Sequence, residues 1–224
     1  MWNRFRLFFF LTSVFFPNFF YSQIIGNDTI FSCQGETLTV KADFSYPDTV
    51  VFPYTKISGT ELFVSNSGSD LSGTGSFLTP FQTIQKAIDV SVNGEIVTIL
   101  DGEYTGTGNV NLSTRGKRIV VQSQNGPQKV KIDCQFNSRA FKINQGETKS
   151  TLIKGIAIFN GNPLALPIGS GAAIFVEDNS GIGIVDCFFV NSSKLCISFG
   201  DNEVVGPDSF IKNSIFADNN ERCI

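Results

Sequence analysis

The fold is decided by three segments that align without gaps: Leu152-Ile-Lys-Gly-Ile-Ala-Ile-Phe-Asn-Gly161, Gly183-Ile-Val-Asp-Cys-Phe-Phe-Val-Asn-Ser192 and Phe210-Ile-Lys-Asn-Ser-Ile-Phe-Ala-Asp-Asn219. Each carries an aliphatic residue near its start, an apolar residue in its middle and an amide or carboxylate near its end. These three columns are Ile153, Ile184 and Ile211; Ile158, Phe189 and Phe216; and Asn160, Asn191 and Asp218. The offsets of 31 and 27 residues are typical of successive coils of a solenoid whose loops vary in length.

A second apolar strand repeats between these segments. Ala140-Phe141, Ala173-Ile174 and Cys196-Ile197 align at offsets of 33 and 23 residues, ahead of turns at Asn144, Asn179 and Asn202. In-register stacking explains why like residues align, because aliphatic and aromatic ladders would lie inside the stack. Asparagine or aspartate would occupy the corners, where a side-chain amide can satisfy backbone groups of the turn. The pattern predicts an all-β chain that forms a parallel β-helix.

Upstream of the repeats, one helix is predicted over residues 80–92. Thr79 suits the N-cap, Pro80 suits the first helical position and Gln82 completes a capping box. Asn93-Gly94 ends the pattern. One face is apolar and consists of Phe81, Ile84, Ala87 and Ile88. A single one-sided helix ahead of many strands is expected to cover the N-terminal end of the stack.

Residues 1–22 have the pattern of a signal peptide. Arg4 and Arg6 precede an apolar run from Leu7 to Phe16 that Pro17 closes. A run of about ten residues is too short for a membrane span, which needs about 20. The mature chain is therefore expected to be secreted, extracellular or on the cell surface, without a membrane span.

The remaining chain is divided into a strand-rich leader over 23–60 and the β-helix over 61–224. The chain ends at Ile224, in the turn after an aligned strand, with nothing that resembles a second cap. An uncovered coil end is a sheet edge open to pairing with other chains. The β-helix is therefore expected to be truncated at its C-terminus relative to a longer parent.

Charge and composition exclude several classes of function. The formal charge is −3, and it falls to −5 when Arg4 and Arg6 leave with the signal peptide. Basic residues are scattered, so nucleic acid is not an expected partner. The chain has no histidine to complete a zinc set with its five cysteines. The apolar strand patterns around Cys134, Cys187 and Cys196 favour core packing over bridges.

The start of the β-helix region carries five further motifs: Leu62-Phe-Val-Ser-x-Ser-Gly-Ser-Asp-x-Ser-Gly-Thr-Gly75, Thr83-Ile84-x-x-Ala87-Ile88, Asn93-Gly94-x-Ile96, Asp101-Gly102-x-Tyr104 and Gly108-Asn109-x-Asn111-Leu112. Together they resemble the opening coils of the pectin-lyase-like right-handed β-helix superfamily. The secreted or surface members with polymorphic outer-membrane-like repeats are the most similar. The resemblance covers about Glu61 to Cys223 and implies a right-handed parallel β-helix with a short N-terminal capping helix. It is specific for architecture rather than for activity.

The superfamily includes lyases, hydrolases, epimerases and non-catalytic adhesins, and fold alone does not choose among them. The histidine-containing elements of the hydrolases and epimerases are absent from this chain. The lyase mechanism is the one that remains. In it, a lysine or arginine takes the proton α to a uronate carboxylate while calcium neutralises the charge of that carboxylate. It implies Lys154 or Lys212 as the base and Asp186 as its charge partner or a calcium ligand. An exposed face of mixed charge is the alternative interpretation of these residues.

Two functions follow from these observations. The first is an extracellular, non-catalytic protein without a cofactor, whose lateral face binds a polysaccharide or another cell-surface component. The second is a polysaccharide lyase that acts on an acidic glycan by calcium-assisted β-elimination. A flat polar or aromatic face would indicate the binder, and a basic groove with calcium would indicate the lyase. The charge of −5 disfavours an unassisted groove for an anionic substrate, so the first function is preferred.

Other oxygen-bearing residues allow more local interpretations. The loop that ends at Asp70 has two interpretations. Its oxygen atoms can coordinate calcium, or it is a plain glycine-rich turn, and no metal site is assigned. Asp101 with Gly102 starts a turn, while Glu103 and Asp133 lie near strand ends. Asn-x-Ser/Thr sequons make Asn27 and Asn111 candidates for N-glycosylation, whereas the corner position of Asn191 should occupy its amide.

Overall fold

A computed structural model describes residues 60–163, 171–177, 179–200, 209–220 and 223–224, together with the backbone of residues 30–33. The predicted signal peptide, most of the leader, Asn27 and Asn202 lie outside these residues. The described part contains 15 strands and one helix. In chain order these are β1 Ile30–Cys33, β2 Glu61–Val64, α1 Ile84–Val90, β3 Ile96–Ile99, β4 Gly102–Tyr104, β5 Val120–Ser123, β6 Val130–Asp133, β7 Phe141–Ile143, β8 Leu152–Lys154, β9 Ala157–Phe159, β10 Ile174–Val176, β11 Gly183–Val185, β12 Phe188–Val190, β13 Ile197–Phe199, β14 Phe210–Lys212 and β15 Ile215–Asn219.

The strands form three parallel sheets. Sheet A has the order β2-β3-β5-β8-β11-β14, sheet B has the order β4-β6-β9-β12-β15-β1, and sheet C has the order β7-β10-β13. Consecutive coils contribute one strand each to sheets A and B, and the stacked coils form a β-solenoid. The parallel pairing confirms the predicted fold, a right-handed parallel β-helix with one short helix.

The predicted aliphatic ladder lies inside sheet A. Ile153 pairs with Ile184, and Ile184 pairs with Ile211, on three neighbouring strands. Their side chains are at most 3% exposed. The same inward row extends toward the N-terminal end through Val121, Val97 and Leu62. Full burial of each aliphatic side chain contributes about 1.5–3 kcal/mol, so this ladder is a principal source of stability.

The other two predicted ladders are also in register. In sheet B, Ile158, Phe189 and Phe216 are paired and fully buried, and the rings of the two phenylalanines stack with centroids 4.7 Å apart. In sheet C, Ile174 pairs with both Phe141 and Ile197. These rows give the stack its aromatic and aliphatic core.

The three cysteines predicted to pack in the core do so. Cys134, Cys187 and Cys196 are buried free thiols. Burial raises the pKa of each thiol to about 12, which leaves it protonated and unreactive at neutral pH.

The corners of the coils use the left-handed backbone region. Asn160 and Asn191 follow strands of sheet B, and Asp218 is the next-to-last residue of β15, with φ of 55°, 59° and 53°. Asparagine and aspartate enter this region at lower cost than other residues that have a Cβ. The corner between sheets A and B uses the same left-handed backbone conformation. Its residues are Gly155, Asp186 and Asn213, with φ of 66°, 55° and 50°. These six residues therefore lie at corners of the coils.

The helix is shorter than predicted, spanning Ile84–Val90 instead of residues 80–92. Thr83, not Thr79, is the N-cap, and its hydroxyl accepts from the Lys86 N–H. Phe81 bridges to Val64 of β2, so this residue belongs to the edge of sheet A and not to the helix. The sequence pattern missed this because Val64, the partner of Phe81, lies outside the helical window.

Helix α1 contacts β2 and β3, the first two strands of sheet A. Ile84, Ala87 and Ile88 are fully buried, and Phe81 is 5% exposed, so the predicted apolar face faces the stack. The helix therefore covers the N-terminal end of the core. Helix α1, the one helix in the described part of the chain, is too short to cross a membrane.

Candidate functional site

The two candidate lysines lie on the outer surface of sheet A. Lys154 ends β8 and is exposed, and Lys212 ends β14 and is half-buried. Val185 of β11 pairs with both residues and stands between them. Their backbones are therefore two strand spacings apart, about 10 Å. Gln122 precedes Lys154 in the same outward row.

Asp186 occupies the corner after β11 and not the outward row of the lysines. Its Oδ1 accepts a hydrogen bond of 3.2 Å from the amide of Asn213, the equivalent corner residue of the next coil. Its backbone N–H donates to the Lys212 carbonyl. The carboxylate thus has a role in linking two corners. Whether Lys154, Lys212 and Asp186 act catalytically stays a prediction.

A second group of polar residues lies on the outer surface of sheet B and is centred on Lys131. Its ammonium is 3.4 Å from Glu103 Oε2, 3.2 Å from Asp133 Oδ2 and 4.7 Å from the centroid of the Phe159 ring. Glu103 pairs with Lys131 across the strands, and Asp133 follows two residues later on the same face. Partial burial opposes the charge on Lys131, but both carboxylates stabilise it and raise its pKa.

Asp133 begins a line of hydrogen bonds that runs along the stack. Its Oδ1 accepts from the Asn160 amide at 2.8 Å, and Asn160 Oδ1 accepts from the Asn191 amide at 2.8 Å. Partial burial alone would raise the pKa of Asp133. The Gln135 N–H, the Asn160 amide and Lys131 outweigh it and hold that pKa below its ordinary value. Asp133 is therefore an anion at neutral pH, and the amide line is oriented.

An apolar strip lies beside this amide line on the same sheet. Phe159 precedes Asn160 and Val190 precedes Asn191, and the two apolar residues pair. Phe188 is diagonal to Phe159 on the neighbouring strand, at a spacing of about 7–8 Å. All three side chains are half-buried and face away from the core. We call the surface formed by Glu103, Lys131, Asp133, Phe159, Asn160, Phe188, Val190 and Asn191 the lateral face of sheet B.

The sequence named the carboxylates of Glu103 and Asp133 but missed Lys131 between them. The missing information is the register of β4 against β6, which is not repeated in the aligned segments. The alternation of Val130-Lys-Ile-Asp133 indicates that Lys131 and Asp133 share an outward face. This alternation does not show that the Glu103 carboxylate contacts the Lys131 ammonium.

The other carboxylates singled out from the sequence have structural partners. Asp70 accepts from the N–H groups of Gln82 and Thr83 and from the Thr83 hydroxyl, so it fixes the entry to α1. Asp101 accepts from the amide of Asn125. No group of three or more histidine, cysteine, aspartate or glutamate side chains that could hold a metal ion occurs among the described residues.

The candidate glycosylation site at Asn111 is exposed, with φ of 53°. Its Oδ1 accepts from the Arg139 N–H at 3.4 Å. The Arg139 side chain itself is 3% exposed and stacks on Phe175 with its guanidinium carbon 5.0 Å from the ring centroid. Burial lowers the pKa of this arginine. Glycosylation of Asn111 stays a prediction.

Comparison with known proteins adds little to this description. No protein family model matches the chain, and no curated protein matches it. Among solved structures it is similar to one named "Rhamnogalacturonan lyase", at 15% identity and a TM-score of 0.39, over 73% of this chain and 51% of that one. The chain thus spans about half the length of that structure. The strand pairing establishes the β-helix fold without this comparison, and membership of the pectin-lyase-like superfamily stays a prediction.

Acid sensitivity of the lateral face can be tested through Asp133. Because its pKa is lowered in the folded state, its contribution to stability is complete above the unfolded pKa of about 3.9 and is lost as the pH falls through the folded pKa. Asp133→Asn should therefore lower the melting temperature by about 2–4 °C at pH 7. The difference from wild type should shrink as the pH falls below about 3.9, because protonation then removes the charge that the folded state stabilises.

Asp101→Asn is the control, because Asp101 is an exposed carboxylate with a single amide partner. Thermal unfolding followed by circular dichroism between pH 2 and pH 7 measures both variants. A constant gap between Asp133→Asn and wild type across that range would contradict the assignment.

Proposed function

We propose that this protein is an extracellular β-helix protein that binds a polysaccharide or another cell-surface carbohydrate with the lateral face of sheet B. The observation that carries the proposal is the line of hydrogen-bonded polar groups Asp133, Asn160 and Asn191 beside the apolar strip of Phe159, Phe188 and Val190. Sugar rings present C–H faces that pack on aromatic rings and hydroxyls that bond to amides and carboxylates.

Rigidity supports the same proposal. The face lies on paired strands, and the amides are already oriented by one another. A surface ordered before binding loses less conformational entropy when the ligand arrives. Coils spaced by about 4.8 Å also repeat polar and apolar groups along one axis, which suits an extended chain of sugars.

The charge of the face favours a neutral glycan. Lys131 lies between Glu103 and Asp133, so its positive charge is balanced by two carboxylates. The face therefore has no excess positive potential to attract a polyanion, and the mature chain as a whole is predicted to be acidic. Secretion by the predicted signal peptide over residues 1–22 would bring the face into contact with extracellular polysaccharides.

The experiment is a glycan array with the secreted protein, followed by calorimetry on the best ligand. Phe188→Ala and Asn191→Ala should each weaken binding about tenfold, the effect of removing about 1.4 kcal/mol of contact. Lys142→Ala, at an exposed position of sheet C, is the control and should bind as wild type. An array without binding, or equal affinities for all four proteins, would refute the proposal.

The second candidate function is a polysaccharide lyase, favoured by the outward row that holds Lys154 and Lys212. The assay is the absorbance of unsaturated uronate products from pectate, alginate and chondroitin in the presence of calcium. We expect no product from wild type. Product formation that is lost in Lys154→Ala or Lys212→Ala would establish the lyase instead of the binder, with Asp186→Asn testing the charge partner.

A further inference from the structure

The first strand of the chain lies at the last position of sheet B. Strand β1 pairs in parallel with β15, Ile30 opposite Ile215 and Phe31 opposite Phe216. Its register shifts before Cys33, which lies opposite Asn219. Strands β2 and β4, in contrast, are the outer strands at the opposite ends of sheets A and B. A segment from the start of the chain therefore pairs with β15, the strand that the last described coil contributes to sheet B.

The cysteines point to a covalent bond at the same end. Cys223 is disulfide-bonded and 4% exposed, whereas Cys134, Cys187 and Cys196 are free. The sequence contains five cysteines, so Cys33 is the one that remains. The backbone of Cys33 lies opposite Asn219, four residues before Cys223. The Cys223 carbonyl accepts from the Ile197 N–H at 3.0 Å, which fixes that residue on the final coil.

We propose that Cys33 and Cys223 form a disulfide that fixes β1 to the C-terminal end of the β-helix. The bond goes beyond the proposed carbohydrate binding and does not depend on it. It forms by thiol–disulfide exchange with a protein or small-molecule disulfide. Cys33 and Cys223 together lose two protons and two electrons, and that oxidant is reduced to two thiols. An extracellular location provides the oxidising conditions under which such a bond persists.

Chain length allows the connection. About 27 residues separate β1 from β2, and such a segment reaches up to roughly 90 Å when extended. Sheet A has six strands, so the stack is roughly 24 Å high at 4.8 Å for each step. The same segment thus has ample length to return from the last coil to the first.

The bond has two physical consequences. Strand β1 satisfies the backbone groups of β15 that would otherwise form an open edge, and the disulfide keeps this short strand in place. Because the bond closes a loop that includes nearly the whole β-helix, it also restricts the unfolded chain strongly.

The test is peptide mapping of the secreted full chain without reductant, after alkylation in denaturant. Cleavage after lysine gives one peptide that ends at Lys41 and contains Cys33, and another that begins at Asn213 and contains Cys223. We expect these two peptides to be linked and to separate on reduction, with Cys134, Cys187 and Cys196 alkylated. Alkylation of Cys33 and Cys223 before reduction, or a link from Cys223 to a different cysteine, would overturn the proposal.

Stability gives an independent readout. Cys33→Ser and Cys223→Ser should each lower the melting temperature by about 10 °C, and the double variant should lower it no further. A mild reductant should lower the melting temperature of wild type and leave the double variant unchanged. Additive losses in the double variant, or a wild type insensitive to the reductant, would count against the bond.

Discussion

Replacing Ile184 with aspartate is expected to abolish folded, secreted protein. Ile184 is fully buried and lies between Ile153 and Ile211 in the inward row of sheet A. An aspartate there would bury a charge with no partner, at a cost of several kcal/mol. The whole domain has only about 5–15 kcal/mol of stability, so this cost removes most of it. The measurement is the yield of soluble protein in the culture medium and its circular dichroism.

Val185→Asp is the matched control for this change. Val185 is adjacent in sequence, belongs to the same strand and is half-buried on the outward face. Its carboxylate would reach solvent and stand between Lys154 and Lys212, so the variant should fold and be secreted at near-normal yield. Normal secretion of Ile184→Asp would show that the register assigned to sheet A is wrong. Loss of both proteins would show that a charge at either position of β11 prevents folding, and that the effect does not depend on the inward orientation of Ile184.

Replacing Ile88 with aspartate is expected to release the helix from the end of the stack. Ile88 is fully buried on the face of α1 that contacts β2 and β3. The buried charge would be relieved by detachment of the helix, which exposes the apolar end of the core and the edge of the first coil. Aggregation or an increase in molecular mass should follow, measured by size-exclusion chromatography with light scattering.

Val90→Asp controls for a new charge on the same helix, because Val90 is 43% exposed. It should give a monomer with a melting temperature within a few degrees of wild type. If Ile88→Asp remains a stable monomer like Val90→Asp, the helix does not protect the end of the stack.

Much of the β-helix is encoded in patterns that repeat. The column of Ile153, Ile184 and Ile211 is visible in the sequence because each coil must present an apolar residue to the coil above and the coil below. The corner column of Asn160, Asn191 and Asp218 is visible because few residues accept a positive φ. Both requirements are local to one coil and recur in each, so alignment reveals them without a structure.

The limits of α1 and the lateral face of sheet B were not predictable in the same way. Phe81 has a helical pattern, yet it pairs with Val64, and Asp70 accepts from Gln82 and Thr83 across the preceding loop. The carboxylate of Glu103 meets Lys131 only because β4 and β6 are paired at one register. Loops between coils differ in length, so a count of residues along the chain does not give that register.

The sequence by itself determined the parallel β-helix, the order of its inward ladders, the one-sided helix at its start and the burial of Cys134, Cys187 and Cys196. These follow from the hydrophobic pattern of each coil and from the preference of asparagine, aspartate and glycine for tight corners. Only the tertiary structure decided where the polar and apolar groups of the lateral face meet and that β1 lies beside β15. Those contacts join residues from distant parts of the chain, and their geometry is fixed by strand pairing after the coils have stacked.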